Sequence, residues 1–270
     1  MGSRPEIRNR RGSMFNFASR RQSGPAGARG WRAYVVGDLQ GRLDLLDHLL
    51  VMIHEDIHRR PARKVLLVFV GDLIDRGPNS AQVVERLRTY RHSGVRTVFL
   101  LGNHEEVLLR ILAGDANLVT DWRRFGGTEC LKSYGVDVAD LTGLDDEQAL
   151  GVIREAIPKR HVEFLESFDD SCRFGDYLFV HAGIRPGVEF DQQRQSDLRW
   201  IREEFLFDET DHGFVVVHGH TISPEVEMRP NRIGIDTGAY RSGVLTALAI
   251  EGCDSWLLDT RTAAEQPAAP

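Results

Sequence analysis

The sequence predicts an α/β domain in which a parallel strand and helix repeat is followed by a β-rich half. Three observations predict it. Short apolar runs end in Gly-Asp, Gly-Asp and Gly-Asn, and Asp38, Asp72 and Asn103 follow one another at intervals of 34 and 31 residues. Each interval is close to the ~30 residues of one strand-helix-strand unit. The segments between them carry helical periodicity, and from residue 177 onward β signals dominate.

Taken in order, residues 33–36 read as a buried strand. The next segment puts Leu45, Leu46, Leu49, Leu50, Ile53 and Ile57 on one helical face. A second strand covers 65–70, a helix runs through Val83, Val84 and Leu87, and a third strand covers 95–101. Right-handed crossovers would set the three strand ends side by side at the carboxyl edge of one sheet, where open α/β sheets place their sites. Residues 105–170 read as helices, broken around Trp122 to Gly127, and form a cap over that edge. Strands follow at 177–180, 214–217, 232–235, 244–250 and 255–258.

Charge divides the chain. Residues 1–29 hold seven Arg and one Glu, a net +6, which leaves −12 on residues 30–270. The Gly-, Ser- and Arg-rich start buries too little to repay ordering, so 1–29 is expected as a disordered tail, 30–257 as the domain and 258–270 as a flexible end. An acidic body argues against nucleic acid as the main partner. No apolar run is long enough for a membrane span, the start lacks the apolar stretch of a secretory signal, and a cytoplasmic protein of one domain is expected. Cys130, Cys172 and Cys253 are widely spaced, which signals neither a disulfide framework nor a thiolate site, and they are expected to be small buried apolar residues.

Hard divalent metals take carboxylate and amide oxygens, with imidazoles added toward manganese, iron or zinc. Asp38, Gln40, Asp72, Asn103, His181 and His220 make up such a set. Singly, each has an ordinary explanation, since Asp and Asn after a strand cap helices and most histidines are structural. Together they place ligand-type residues next to Gly at five strand ends, where backbone can approach a shared ion.

These motifs resemble those of the phosphoprotein phosphatases within the calcineurin-like metallophosphoesterases. The family's Gly-Asp-x-His-Gly, Gly-Asp-x-x-Asp-Arg-Gly and Gly-Asn-His-Glu appear as residues 37–41, 71–77 and 102–105, followed by His181 and His220. The resemblance covers about residues 33–250. It implies the calcineurin-like fold: a central β-sandwich flanked by helices, with a small helical cap. It implies two divalent metal ions, one held by Asp38, residue 40 and Asp72, the other by Asp72, Asn103, His181 and His220. Manganese is expected, with iron, zinc or magnesium as alternatives. Two such ions share a water and make hydroxide available near neutral pH. His104 would then protonate the leaving group, with Asp75 orienting its imidazole. Arg76, Asn103 and Arg202 would bind the phosphate; Arg202 lies in a Trp-x-Arg stretch similar to that of phage-type members.

One residue departs from the pattern: Gln40 replaces the family's His, a weaker ligand that shifts preference toward Mn²⁺ or Mg²⁺. Gln there is similar to many bacterial diadenosine tetraphosphatases. Asp75, Arg76 and Glu105 resemble the protein phosphatases, and Trp122 with Gly126 and Gly127 resembles the cap of phage-type members. The expected function is therefore a phosphatase acting on a phosphorylated protein (phospho-Ser/Thr or phospho-Tyr) or a small phosphoester. A dinucleoside polyphosphate hydrolase and a non-catalytic phosphate-binding module are the alternatives.

Residues 54–58 match the zinc-protease pattern His-Glu-x-x-His, but they lie on a crossover helix away from the sheet edge with no third ligand. His54 and His58 are expected to face solvent. His218 is expected to pack, and Asp236 and Tyr240 to stand behind the ligands.

Overall fold

The computed structural model describes residues 24–261. Two five-stranded sheets pack face to face. The first has the order β10 (Asp254–Asp259), β9 (Thr246–Glu251), β1 (Arg32–Val36), β2 (Val65–Phe69), β3 (Val95–Phe99). The second has the order β4 (Ser171–Phe174), β5 (Tyr177–Val180), β6 (Val215–His218), β8 (Arg232–Gly234), β7 (Glu227–Met228). In each sheet the strands that lead to the site run parallel: β1, β2 and β3 in one, β5, β6 and β8 in the other. Antiparallel strands close the edges except at β3.

The alternation of strand side chains explains the layers. Ala33, Val35, Leu66 and Val68 face inward against Phe179, Val215, Val217 and Ile233 of the second sheet. Their neighbours Tyr34, Val36, Leu67 and Phe69 face outward onto helices. Strands buried on both faces read as continuous apolar runs, which is how 65–70 appears in the sequence. Helix α1 (Leu43–Arg59) covers the outer face with Leu45, Leu46, Leu49, Leu50 and Ile53. Each such side chain contributes about 1.5–3 kcal/mol of burial. Helix α2 (Ser80–Arg88) adds Val83, Val84 and Leu87.

Helix α3 (Asn103–Ala113) leaves the end of β3 and leads into the cap. The cap comprises α4 (Val119–Trp122), α5 (Thr128–Ser133), α6 (Asp146–Ala156) and α7 (Lys159–Glu166). Short helices α8 (Gln195–Trp200) and α9 (Glu203–Leu206) cover the second sheet through Leu198, Ile201 and Phe205, and α10 (Ala239–Ser242) follows β8. Among the described residues no helix is long and apolar enough to cross a membrane.

Several expectations need correction. The described unit is wider than 30–257. The Gly27 N–H donates to Gly252 O at 2.7 Å, the Ala26 N–H donates to Asp176 Oδ2 at 3.0 Å, and β10 runs to Asp259 with the Thr260 N–H on Leu245 O. Backbone pairing of this kind needs no apolar side chain, so composition does not reveal it. The rest of the expected tails, 1–23 and 262–270, lies outside the described residues. Strands β4 and β7 were not expected. His54 is half-buried: its Nε2 lies 2.8 Å from the Tyr90 hydroxyl and its ring stacks on His92, while His58 is exposed. Cys130 is buried, but Cys172 is half-buried and Cys253 exposed.

Candidate active site

The strand ends converge as their spacing requires. Asp38 follows β1, Asp72 follows β2, and Asn103 and His104 open α3 after β3. From the second sheet, His181 follows β5 and His220 follows β6. Five non-glycine residues of the described chain have left-handed backbone: Gln40 (φ 43°), Asp72 (φ 51°), Asp75 (φ 73°), Arg76 (φ 60°) and His220 (φ 62°). All five belong to this site. Each such conformation costs on the order of 1–3 kcal/mol and persists only where its surroundings enforce it.

Glu105 supplies much of that enforcement. Its buried carboxylate accepts the N–H groups of Asp72 at 2.8 Å, Leu73 at 2.7 Å, Ile74 at 3.3 Å and Gly102 at 3.1 Å. It thereby ties the turn after β2 to the start of α3. Burial, then the charge of Asp72, pushes its pKa up to about 7, and the N–H donors oppose that rise. Two glycines make the approach possible. A Cβ on Gly102 would lie 2.2 Å from Asp72 Oδ1, and one on Gly219 would lie 2.0 Å from Asp38 Oδ1.

Asp72, His181 and His220 bring ligand atoms within 4.8 Å of one another. The His181 Nδ1 lies 2.9 Å from Val70 O, which can only accept, so Nδ1 carries the proton. Burial pushes this imidazole's pKa down, so its Nε2 presents a lone pair. That lone pair stands 2.9 Å from Asn103 Oδ1 and 3.4 Å from Asp72 Oδ1, an assembly of acceptors. His220 is held neutral by burial and by His181, and its Nε2 is buried without a partner. The His220 backbone N–H donates to Asp38 Oδ2 at 3.1 Å. Gln40 Oε1 is likewise buried without a partner. Converging lone pairs with no protons between them are what a divalent cation satisfies, so these residues fit a metal centre.

Beside them, Asp75 Oδ2 lies 2.6 Å from His104 Nδ1 and accepts the Trp122 indole N–H at 2.9 Å. Burial works against a charged His104, but Asp72 and Asp75 outweigh it and raise its pKa to about 9. Arg76 stacks on the Tyr240 ring and donates to its hydroxyl at 2.8 Å, and its Nη2 lies 3.3 Å from His104 Nε2. Gly126 (φ 120°) accepts the Arg76 N–H through its carbonyl, and a Cβ there would lie 2.6 Å from Arg76. The kink in the cap is therefore where it closes on the site.

A cleft of about 230 Å³ is lined by Gln40, Asp72, Arg76, Asn103, His104 and His220, with Asp236 at its wall and Arg202 at its rim. Arg202 is exposed, and its Nη1 reaches Thr221 Oγ1 at 3.4 Å. An adjoining pocket of about 360 Å³ shares Arg76, His104 and Arg202 and is walled by Trp122, Phe125 and Trp200. A larger cleft, about 690 Å³ beside β3, holds none of these residues. His218 is buried outside the cleft against Phe205.

The family model described as calcineurin-like phosphoesterase matches residues 32–243. The chain belongs to the calcineurin-like phosphoesterase family. It is a metallophosphoesterase, and so a hydrolase. Among its relatives, a serine/threonine-protein phosphatase 1 from Salmonella typhimurium is 29% identical over 233 residues, 83% of this chain and 94% of that protein. A symmetrical bis(5'-nucleosyl)-tetraphosphatase from a Janthinobacterium species is 32% identical over 154 residues, 57% of this chain and 44% of that protein. The solved structure of a candidate diadenosine tetraphosphatase superposes with a TM-score of 0.59 at 21% identity, covering 87% of this chain and 98% of that one, a likeness of fold. The metallophosphoesterase fold expected from the motifs is thus present.

Sequence reasoning missed the roles of Glu105 and Trp122. Glu105 was visible as part of Gly-Asn-His-Glu, but nothing in the sequence says that its carboxylate reaches across to the β2 turn. Trp122 was visible as a cap residue, and its bond to Asp75 emerges only when the cap folds over.

Proposed function

We propose that this metallophosphoesterase is a protein phosphatase hydrolysing phosphomonoesters of Ser, Thr or Tyr. The observation that carries this reading is the buried His104–Asp75 pair opening on the cleft. An alkoxide is a far more basic leaving group than a nucleotide, so an acid held protonated is of most use on alkyl monoesters. The adjoining aromatic pocket suits side chains flanking a phosphorylated residue.

In this reading Asp38, Gln40 and Asp72 would hold one divalent cation and Asp72, Asn103, His181 and His220 a second, manganese being best suited to the mixed donors. Bound there, the pair supplies charge neutralisation for the phosphoryl oxygens and an acidified water as nucleophile. The protein supplies the rest. Arg76, fixed by Tyr240, and Arg202 at the rim grip the phosphoryl oxygens as planar donors, and the Asn103 amide lies beside them. The ester oxygen lies toward His104, which hands over its Nε2 proton as the bond to phosphorus breaks. Asp75 keeps Nδ1 protonated throughout and holds the ring plane. The glycine-rich cap turn positions Trp122 against the same carboxylate.

A dinucleoside polyphosphate hydrolase is the second reading. Gln40 and the tetraphosphatase relative favour it. A panel of phosphoserine, phosphothreonine and phosphotyrosine peptides with diadenosine tetraphosphate, all in Mn²⁺, tests both. Phosphopeptides are expected to show the higher kcat/KM; a preference of tenfold or more for the dinucleotide would reverse the order.

A further inference from the structure

The first cation position, as read above, is short of donors. Gln40 is uncharged, and its buried Oε1 has no partner. A second buried oxygen at the same cleft is in the same state: Oδ2 of Asp236, in a residue only 3% exposed. The other oxygen of that carboxylate, Oδ1, accepts the Gly238 N–H at 2.9 Å, which fixes the plane of the group. Asp236 is delivered like the other ligands. β8 runs parallel beside β6 with Gly234 opposite His218, so Asp236 and His220 emerge from neighbouring strands two residues beyond that pair. The approach to β1 is equally close, for a Cβ on Gly37 would lie 2.5 Å from Ile235 O.

Charge makes the same case. Asp38, Asp72 and Asp236 are each at most 3% exposed. Among the described residues no Lys or Arg pairs with any of the three; the ion-pair partners of Asp72 are His104 and His181. Buried carboxylates without a countercharge are strongly disfavoured, and a divalent cation among them removes that penalty.

We propose that Asp236 is a ligand of the first cation, its Oδ2 supplying the donor that Gln40 provides weakly. The proposal rests on the two-cation reading above. It makes the two positions chemically unlike. The first is built from oxygen alone, by Asp38, Gln40, Asp72 and Asp236, and selects a hard cation such as Mn²⁺ or Mg²⁺. The second retains two imidazoles and tolerates zinc.

The test measures metal binding on the full chain. Mn²⁺ titration calorimetry and elemental analysis after dialysis compare the wild type with Asp236→Asn, which keeps an Oδ1 for the Gly238 N–H. The wild type is expected to hold two equivalents. Asp236→Asn is expected to bind its first-site ion about 10–100-fold more weakly, with second-site binding retained and the apoprotein Tm not lowered, since the change removes a buried uncompensated charge. Adding Gln40→His is expected to recover part of the loss. Two equivalents at wild-type affinity in Asp236→Asn would overturn the proposal and leave the two-cation reading standing. Fewer than two equivalents in the wild type at saturating Mn²⁺ would overturn both. The wild type alone gives an independent readout if the variant does not fold. Zn²⁺ added to the Mn²⁺-loaded protein should displace one ion well before the other, and equal displacement of both would overturn the all-oxygen first site.

Discussion

The indole N–H of Trp122 and the imidazole of His104 meet on one atom: Trp122 Nε1 lies 2.9 Å and His104 Nδ1 2.6 Å from Asp75 Oδ2. A cap residue thus helps to aim the carboxylate that orients the proposed acid. Trp122→Phe keeps a ring in the cap but removes the donor. Loss of a hydrogen bond to a charged group, worth about 1.5–3 kcal/mol, should lower kcat on phosphoserine peptides by roughly tenfold or more. The fall should be smaller on p-nitrophenyl phosphate, whose leaving group needs little protonation. Equal falls on the two substrates would mean that Trp122 acts on something other than the acid.

His104 itself admits a sharper form of the same comparison. His104→Asn should retain its full metal complement, because the imidazole is not among the converging lone pairs. Turnover on alkyl phosphates should fall by about 10²–10⁴-fold, the usual contribution of a general acid. A plot of log kcat against leaving-group pKa should be steeper in the variant. Parallel plots for variant and wild type would remove His104 from proton transfer.

Glu105 anchors the left-handed turn that carries Asp72, and four N–H groups converge on it. In Glu105→Gln an amide N–H₂ faces donors where a carboxylate oxygen stood. The variant should lose roughly 1–3 kcal/mol of stability in denaturant unfolding of the apoprotein. Its affinity for Mn²⁺ should fall as well, because Asp72 is no longer held in place. An unchanged unfolding midpoint would show that the clamp is dispensable.

How much of this was legible beforehand differs by residue. Asp38, Asp72 and Asn103 end apolar runs at regular spacing in one parallel sheet, and His181 and His220 end apolar runs in the second. Parallel topology aligns the ends within each sheet, and the packing of the two sheets brings the sets together. Asp236 also ends a strand, yet an Asp after a strand is so ordinary that only its unpartnered Oδ2 separates it from a helix cap. Residues 24–29 look like tail because their ties to Asp176 and Gly252 use backbone, which carries no residue-type signature. His54 was placed in solvent because its own helix says nothing of Tyr90 and His92, which arrive from another element.

The aromatic wall of the adjoining pocket bears on specificity. Phe125 is 66% exposed and Trp200 43% exposed, both beside the proposed acid. Aromatic faces held open to solvent gain from covering, at about 1 kcal/mol each. Phe125→Ala should therefore raise KM for a phosphopeptide roughly fivefold while leaving that for p-nitrophenyl phosphate nearly unchanged. Identical KM shifts for the small and the peptide substrate would indicate a general disturbance of the cap.

Acid stability should depend on a contact far from the cleft. His161 of α7 is buried between the Tyr134 hydroxyl, 3.0 Å from Nδ1, and the Glu85 carboxylate of α2, 2.8 Å from Nε2. A neutral ring satisfies both, with Nε2–H donated to Glu85 and Nδ1 accepting from Tyr134. Burial lowers the His161 pKa in spite of Glu85. The unfolded chain therefore takes up this proton first, and stability falls as pH drops below the ordinary histidine value of about 6.5. Glu85 is held down to about 2, by Arg88 first and His161 next. Its contribution is complete above the ordinary glutamate value of about 4.3 and is lost as pH falls toward 2. Both groups destabilise the fold in acid, in successive windows. Urea midpoints measured from pH 7 to pH 3 should show Glu85→Gln less stable than wild type at neutral pH, with the gap closing below about pH 4.3. A gap that stays constant down to pH 3 would mean that the Glu85 charge does not contribute, and that the contact between α2 and α7 is one of packing.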